Sequence, residues 1–117
     1  FRDRIDVDRA TVAALLKPFA GKVIAGFGAA RSANLLIDFF SLGHYLNFVV
    51  DDSPQKCGKW LNMFDVPILP TSSLTEKSPE LVICLAWIHT EKITDRIKQN
   101  LNENVRVLQL YPEIKLV

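Results

Sequence analysis

The chain has 117 residues, 49% hydrophobic and 23% charged, enough for one packed domain but not two. A formal net charge of +1 argues against a nucleic-acid or anionic-membrane partner. Cys57 and Cys84 lie far apart with no Cys-x-x-Cys spacing, so neither a disulfide framework nor a zinc site is expected, and no metal-ligand cluster is present. No apolar run reaches bilayer-spanning length and no leader is visible, so the expected compartment is the cytoplasm. The chain opens on Phe1 rather than Met, which suggests a piece of a longer protein.

In chain order, Val12, Leu15, Leu16 and Phe19 fall at helical spacing and predict a docking helix over residues 8–18. Asp8 or Thr11 would cap it, Pro18 and Gly21 would close it, and the charged stretch from Phe1 to Asp8 reads as a lead-in. Lys22 to Phe27 is a short apolar run that predicts a buried parallel strand, and Gly28 opens the turn after it. Leu35, Leu36, Phe39 and Phe40 give one apolar face to a helix from Arg31 to Phe40, ended by Gly43. Leu46 to Val50 is a second strand, stopped by Asp51-Asp52-Ser53-Pro54. Two prolines in Val66-Pro67-Ile68-Leu69-Pro70 restrict it to a short edge strand, and Thr71 or Ser72 caps one helical turn behind it. Leu81 to Ala86 is a third long strand, with Cys84 as a buried structural thiol. From Thr90 to Leu101 a helix points Ile93, Ile97 and Leu101 inward and Lys92, Asp95 and Lys98 outward. Val105 to Leu110 is the last long strand, and residues 114–117 form a tail.

This alternation predicts a single Rossmann-like α/β domain: a mostly parallel sheet with helices on both faces. Residues 1–21 would be a leading segment and docking helix, and 22–117 the Rossmann-like domain itself. Right-handed crossovers place the first strand centrally, with a crevice beyond its carboxyl end at the switch point of the strand order. Gly26-Phe27-Gly28 occupies that end, where glycines and the unpaired N–H groups of a following helix suit an anion. The bland alternative is a strand-to-helix turn with no ligand. Arg31 stands where a dinucleotide fingerprint has its third glycine, which argues against a full dinucleotide site. Asp51 ends the second strand, where a ribose-binding carboxylate belongs, although Asp before Ser-Pro is also ordinary turn chemistry. Trp87 sits at the end of the third long strand, where it stacks on a base or closes the core, the crevice-facing position favouring a ligand, and Trp60 is read as a plug or interface residue. His44 follows the helix-ending Gly43, where a cation suits the helix dipole, and His89 is read as a polar loop residue, since nothing is spaced to partner it in catalysis.

The run from Gly26 through Ala29, Arg31 and Asn34 to Leu36 resembles the Gly-Tyr-Gly-Ala-Pro-Ala-Lys-Gly-Asn-Thr-Leu run of the C-terminal domain of sugar C-methyltransferases. Val49-Val50-Asp51-Asp52-Ser53-Pro54-Gln55-Lys56-Cys57-Gly58-Lys59 is similar to that family's Val-Val-Asp-Arg-Ser-Pro-His-Lys-Gln-Gly-Arg stretch. Val66-Pro67-Ile68, Leu85-Ala86-Trp87 and Tyr111-Pro112-Glu113 fall at matching places. The family's proline is Ala30 here, its Lys-Gly pair is Ser32-Ala33, and its Asn after Trp is Ile88.

The resemblance implies the nucleotide-sugar-binding domain of an S-adenosylmethionine-dependent C-methyltransferase for deoxysugars. S-adenosylmethionine and the catalytic base would belong to a methyltransferase domain of the same parent chain. No residue here would be catalytic. On this reading Gly26, Gly28 and Ala29 offer backbone N–H groups, and Arg31 and Asn34 offer polar contacts. Asp51 accepts from a ribose or sugar hydroxyl, Lys56 neutralises phosphate charge, and Trp87 stacks. The alternative is a stand-alone sugar-nucleotide sensor or the N-terminal domain of a sugar-modifying enzyme, because the acidic turn followed by Val-Pro-Ile-Leu also resembles sugar acyltransferases. An interaction scaffold with a vestigial crevice is the third reading.

Overall fold

The computed structural model describes residues 2–28, 36–43, 45–51, 58, 66–85, 90–100, 105–110 and 114–117. The first helix, α1, is Arg2–Leu16, followed by a 3-10 turn at Lys17–Phe19 that has Pro18 in its first turn. The lead-in expected before Asp8 is therefore helical, and neither Asp8 nor Thr11 caps the helix. Instead, the Thr11 hydroxyl donates back to the Val7 carbonyl at 2.8 Å. Hydrophobic spacing reveals only the packed part of a helix, here Val12 and Leu16, both fully buried.

Strands β1 (Ile24–Phe27), β2 (Phe48–Asp51), β3 (Ile68–Pro70), β4 (Leu81–Cys84), β5 (Arg106–Gln109) and β6 (Lys115–Leu116) form one sheet in the order β3-β2-β1-β4-β5-β6. The first five are parallel, and β6 runs antiparallel to β5, with Leu108 opposite Leu116. The order confirms a Rossmann-like α/β domain with β1 central and the proline-bearing β3 at an edge. The tail expected at residues 114–117 is a strand. Backbone bonds between Val107 and Val117, at 2.8 and 3.1 Å, cover the edge that β5 would otherwise expose.

Side chains alternate between the two faces of the sheet. On one face Ile24, Val49, Ile68, Leu81, Ile83 and Leu108 pack with Val12 and Leu16 of α1 and with Ile37. Ile37 belongs to α2, described at residues 36–39. The predicted face of this helix shifts: Ile37 is the fully buried residue, while Leu36 and Phe40 are half-buried against the core. Arg9 of α1 lies over the Phe39 ring, Cζ 4.7 Å from its centroid.

Helix α2 ends at Ser41 rather than at the expected Gly43. Ser41 takes a left-handed φ of 55°, and its N–H donates to Asp38 O while Leu42 N–H donates to Ile37 O. This is a Schellman closure, sealed by the buried pair Ile37 and Leu42.

On the other face Ala25, Phe27, Phe48, Val50, Val82, Val105 and Val107 pack with Leu74 of α3 (Ser73–Lys77) and Ile97 of α4 (Thr90–Asn100). Among the described residues α1 and α2 thus cover one side and α3 and α4 the other, and right-handed crossovers put α2 and α4 on opposite faces. Ile97 is buried and Ile93 half-buried, and Lys92 and Asp95 are exposed as predicted; Leu101 lies outside the described residues. Among the described residues no helix is long and apolar enough to cross a membrane.

Candidate functional site at the carboxyl edge of the sheet

The strand order reverses between β1 and β4, so the crevice lies beyond Phe27 and Cys84. The backbone there is held from both sides. Gly28 N–H donates to Val50 O at 2.8 Å, and Leu85 N–H donates to Phe27 O at 2.9 Å. Gly28 has φ 102°, a conformation that side-chain-bearing residues rarely adopt. It therefore gives the crevice its turn geometry, while its own N–H is committed to β2.

Gly26 lies inside the ladder, opposite Val49 on one side and Ile83 on the other. A Cβ at this position would stand 2.8 Å from Leu85 Cδ1 and 3.1 Å from Val49 Cγ2. Its lack of a side chain is accounted for by core packing: the buried Leu85 fills that space.

Asp51 closes β2, is half-buried and stands opposite Pro70. Its preceding residue, Val50, is the one whose carbonyl holds Gly28. The structure thus brings the Gly28 turn and Asp51 together at one edge. Ala29, Arg31, Asn34, Lys56 and Trp87 lie outside the described residues, as do Trp60, His44 and His89.

Three residues near this edge went unnoticed in the sequence. Gln109, the last residue of β5, is 3% exposed, and its Nε2 donates to Oγ1 of the 4%-exposed Thr94 at 2.8 Å. A glutamine at a position flanked by the apolar Leu108 and Leu110 was the available signal. Arg96 lies over the ring of Phe27, Cζ 5.8 Å from the centroid. No sequence signal pairs those two, because they meet only through the packing of α4 on β1.

Cys84 is buried, as predicted. Among the described residues no group of three His, Cys, Asp or Glu is placed to hold a metal. A shallow recess lined by Ala20, Gly21, Lys22, Ile24, Tyr45 and Asn47 lies at the opposite, amino-terminal edge of β1.

A doubly wound sheet with a glycine turn and a strand-ending carboxylate at its switch point defines an α/β domain of Rossmann type. The particular lineage follows from comparison with known proteins. Residues 1–112 match the family described as C-methyltransferase C-terminal domain, and the chain belongs to it. It is also 30% identical over 98 residues to C-methyltransferase NovU of Streptomyces niveus, a match spanning 83% of this chain and 23% of that protein.

Proposed function

We propose that this domain is the nucleotide-sugar-binding part of an S-adenosylmethionine-dependent C-methyltransferase. The observation that carries this reading is the juxtaposition of the positive-φ Gly28 turn with Asp51 at the switch point. The carboxylate accepts hydrogen bonds from a ribose or sugar hydroxyl, a role for which an acceptor at a strand end is suited. Gly28 keeps the backbone low enough for a diphosphate to approach. Ala29, Arg31, Asn34 and Lys56 add donors and charge, and Trp87 stacks on the base. Gly26, two residues before the turn, leaves room for the buried Leu85.

The chain spans under a quarter of the relative it matches, and it carries no catalytic role in this reading. A methyltransferase domain of the same parent chain supplies S-adenosylmethionine and the base that activates the sugar carbon. The reading makes deoxysugars linked to a nucleoside diphosphate its substrates and the cytoplasm its compartment.

Thermal melting of the 117-residue chain with millimolar nucleoside diphosphates and their sugar conjugates tests the reading. A ligand at a hundred times its Kd adds roughly 2.7 kcal/mol of stability. Asp51→Asn keeps shape but loses the charge, and should weaken binding by roughly tenfold to a hundredfold, the worth of a charge-assisted hydrogen bond. A wild-type melting temperature unmoved by every such ligand would sink the proposal. Unchanged affinity in Asp51→Asn would remove that residue from the site.

A further inference from the structure

We propose that Arg96 is the anion-binding side chain of this crevice and receives the diphosphate of the ligand at the Gly28 turn. The inference rests on the nucleotide-binding reading and adds a residue that neither the motif strings nor the spacing assigns.

Helix α4 follows β4 and returns antiparallel to the strands, so its amino end lies at the carboxyl edge of the sheet. Side chains on a helix lean toward its amino terminus, which carries the Arg96 guanidinium back toward the crevice. There it lies over the ring of Phe27, with Cζ 5.8 Å from the centroid. Phe27 is 5% exposed and immediately precedes Gly28, while Arg96 itself is exposed. The ring thus forms a fixed apolar floor under a cation one residue from the turn.

Stacking on an aromatic face uses the flat of a guanidinium, and the N–H donors around its edge are numerous enough to serve an anion alongside other partners. Arginine suits this role better than lysine because its fork is planar, weakly hydrated and matched to phosphate oxygens.

The helix that carries Arg96 is fastened on both sides of it. Thr94 Oγ1 accepts from the Gln109 amide at 2.8 Å, both groups being buried, and Ile97 is 1% exposed in the core. These two anchors fix the rotation of α4 about its axis, and with it the direction from which Arg96 reaches Phe27.

The same face of the sheet supplies an internal control. Lys77 lies over the Phe48 ring, Nζ 5.8 Å from the centroid, but Phe48 begins β2 and so marks the opposite, amino-terminal edge. A cation stacked on an aromatic ring is therefore present at both edges, and only the Arg96 edge adjoins the Gly28 turn.

The test is calorimetric titration of the 117-residue chain with uridine diphosphate, thymidine diphosphate and inorganic pyrophosphate at two salt concentrations. Wild type is compared with Arg96→Gln, Arg96→Lys and Lys77→Gln. Arg96→Gln should melt cooperatively like wild type but bind the diphosphates roughly tenfold to a hundredfold more weakly. It should also show a flatter dependence of affinity on salt. Arg96→Lys should recover part of the loss, and Lys77→Gln should stay within about twofold of wild type. Pyrophosphate binding that also falls in Arg96→Gln assigns the contact to the phosphates. Wild-type affinity in Arg96→Gln, or an equal loss in Lys77→Gln, overturns the assignment of Arg96 while leaving the nucleotide reading in place. A wild-type chain that binds none of the three overturns both.

Discussion

Gly26 offers a sharp test of why a glycine occupies a central strand. An added Cβ would meet Leu85 Cδ1 at 2.8 Å and Val49 Cγ2 at 3.1 Å, and both neighbours are fully buried. Val49 is β-branched, and Leu85 is enclosed by the core, so neither yields without disturbing others. Gly26→Ala should therefore destabilise by roughly 1–3 kcal/mol, the usual range for overpacking. Leu85→Ala alone should cost roughly 2–5 kcal/mol by leaving a cavity. In the double variant the methyl added at position 26 enters space vacated by Leu85 Cδ1, so the two costs should fall short of their sum by roughly 1–2 kcal/mol. The Val49 contact persists, so relief is partial. Urea unfolding measures all three variants against wild type, a denaturant slope of roughly 1–3 kcal/mol/M giving resolvable midpoint shifts. Additive costs, or a neutral Gly26→Ala, would refute the steric account and return Gly26 to the role of a bare backbone kept for a ligand.

Two further predictions concern stability. Ser41 holds the left-handed position of the Schellman closure at φ 55°, which costs a non-glycine residue roughly 1–2 kcal/mol. Ser41→Gly removes that strain at some entropic cost and should raise stability by roughly 0.5–1 kcal/mol, read as a higher melting temperature; a lower one would show that the serine is not strained there. Gln109→Met keeps the volume but deletes the buried bond to Thr94, and should lower stability by about 1 kcal/mol in the same melts. A Gln109→Met variant as stable as wild type would mean that the bond does not anchor α4 to β5.

The two faces of the core show how sequence and function divide in this fold. Apolar side chains on β1, β2, β4 and β5 pack the two faces of the core, and Gly28 and Asp51 sit just past and at the carboxyl ends of β1 and β2. The hydrogen bond from Gly28 N–H to Val50 O ties the turn to the strand that Asp51 ends. The family match covers both positions. Gln109 ends β5 and, through its buried bond to Thr94, fastens α4, the helix that carries Arg96.

Much of this architecture was legible in the chain itself. Short apolar runs at Lys22–Phe27, Leu46–Val50, Leu81–Ala86 and Val105–Leu110 separated by helical spacing leave parallel pairing as the economical solution. Right-handed crossovers then make β1 central and put Gly28 at the switch point. Proline placed β3 at the edge because it cannot donate to a ladder. The run around Asp51 carries the family resemblance in the sequence alone.

Other features depend on contacts between residues distant in sequence. The early start of α1 escaped a reading that detects only buried spacing. Pairing of β6 is made by backbone groups, which carry no side-chain signature. Whether Gly26 serves a ligand or a leucine depends on where Leu85 packs, and the Thr94–Gln109 bond and the Arg96–Phe27 contact depend on how α4 docks. Periodicity and turn chemistry act within a few residues of the chain, so they determine the elements and their order. Contacts such as Leu85 beside Gly26 and Arg96 over Phe27 arise only when those elements pack, because they join residues far apart in the chain, and tertiary structure alone decided them.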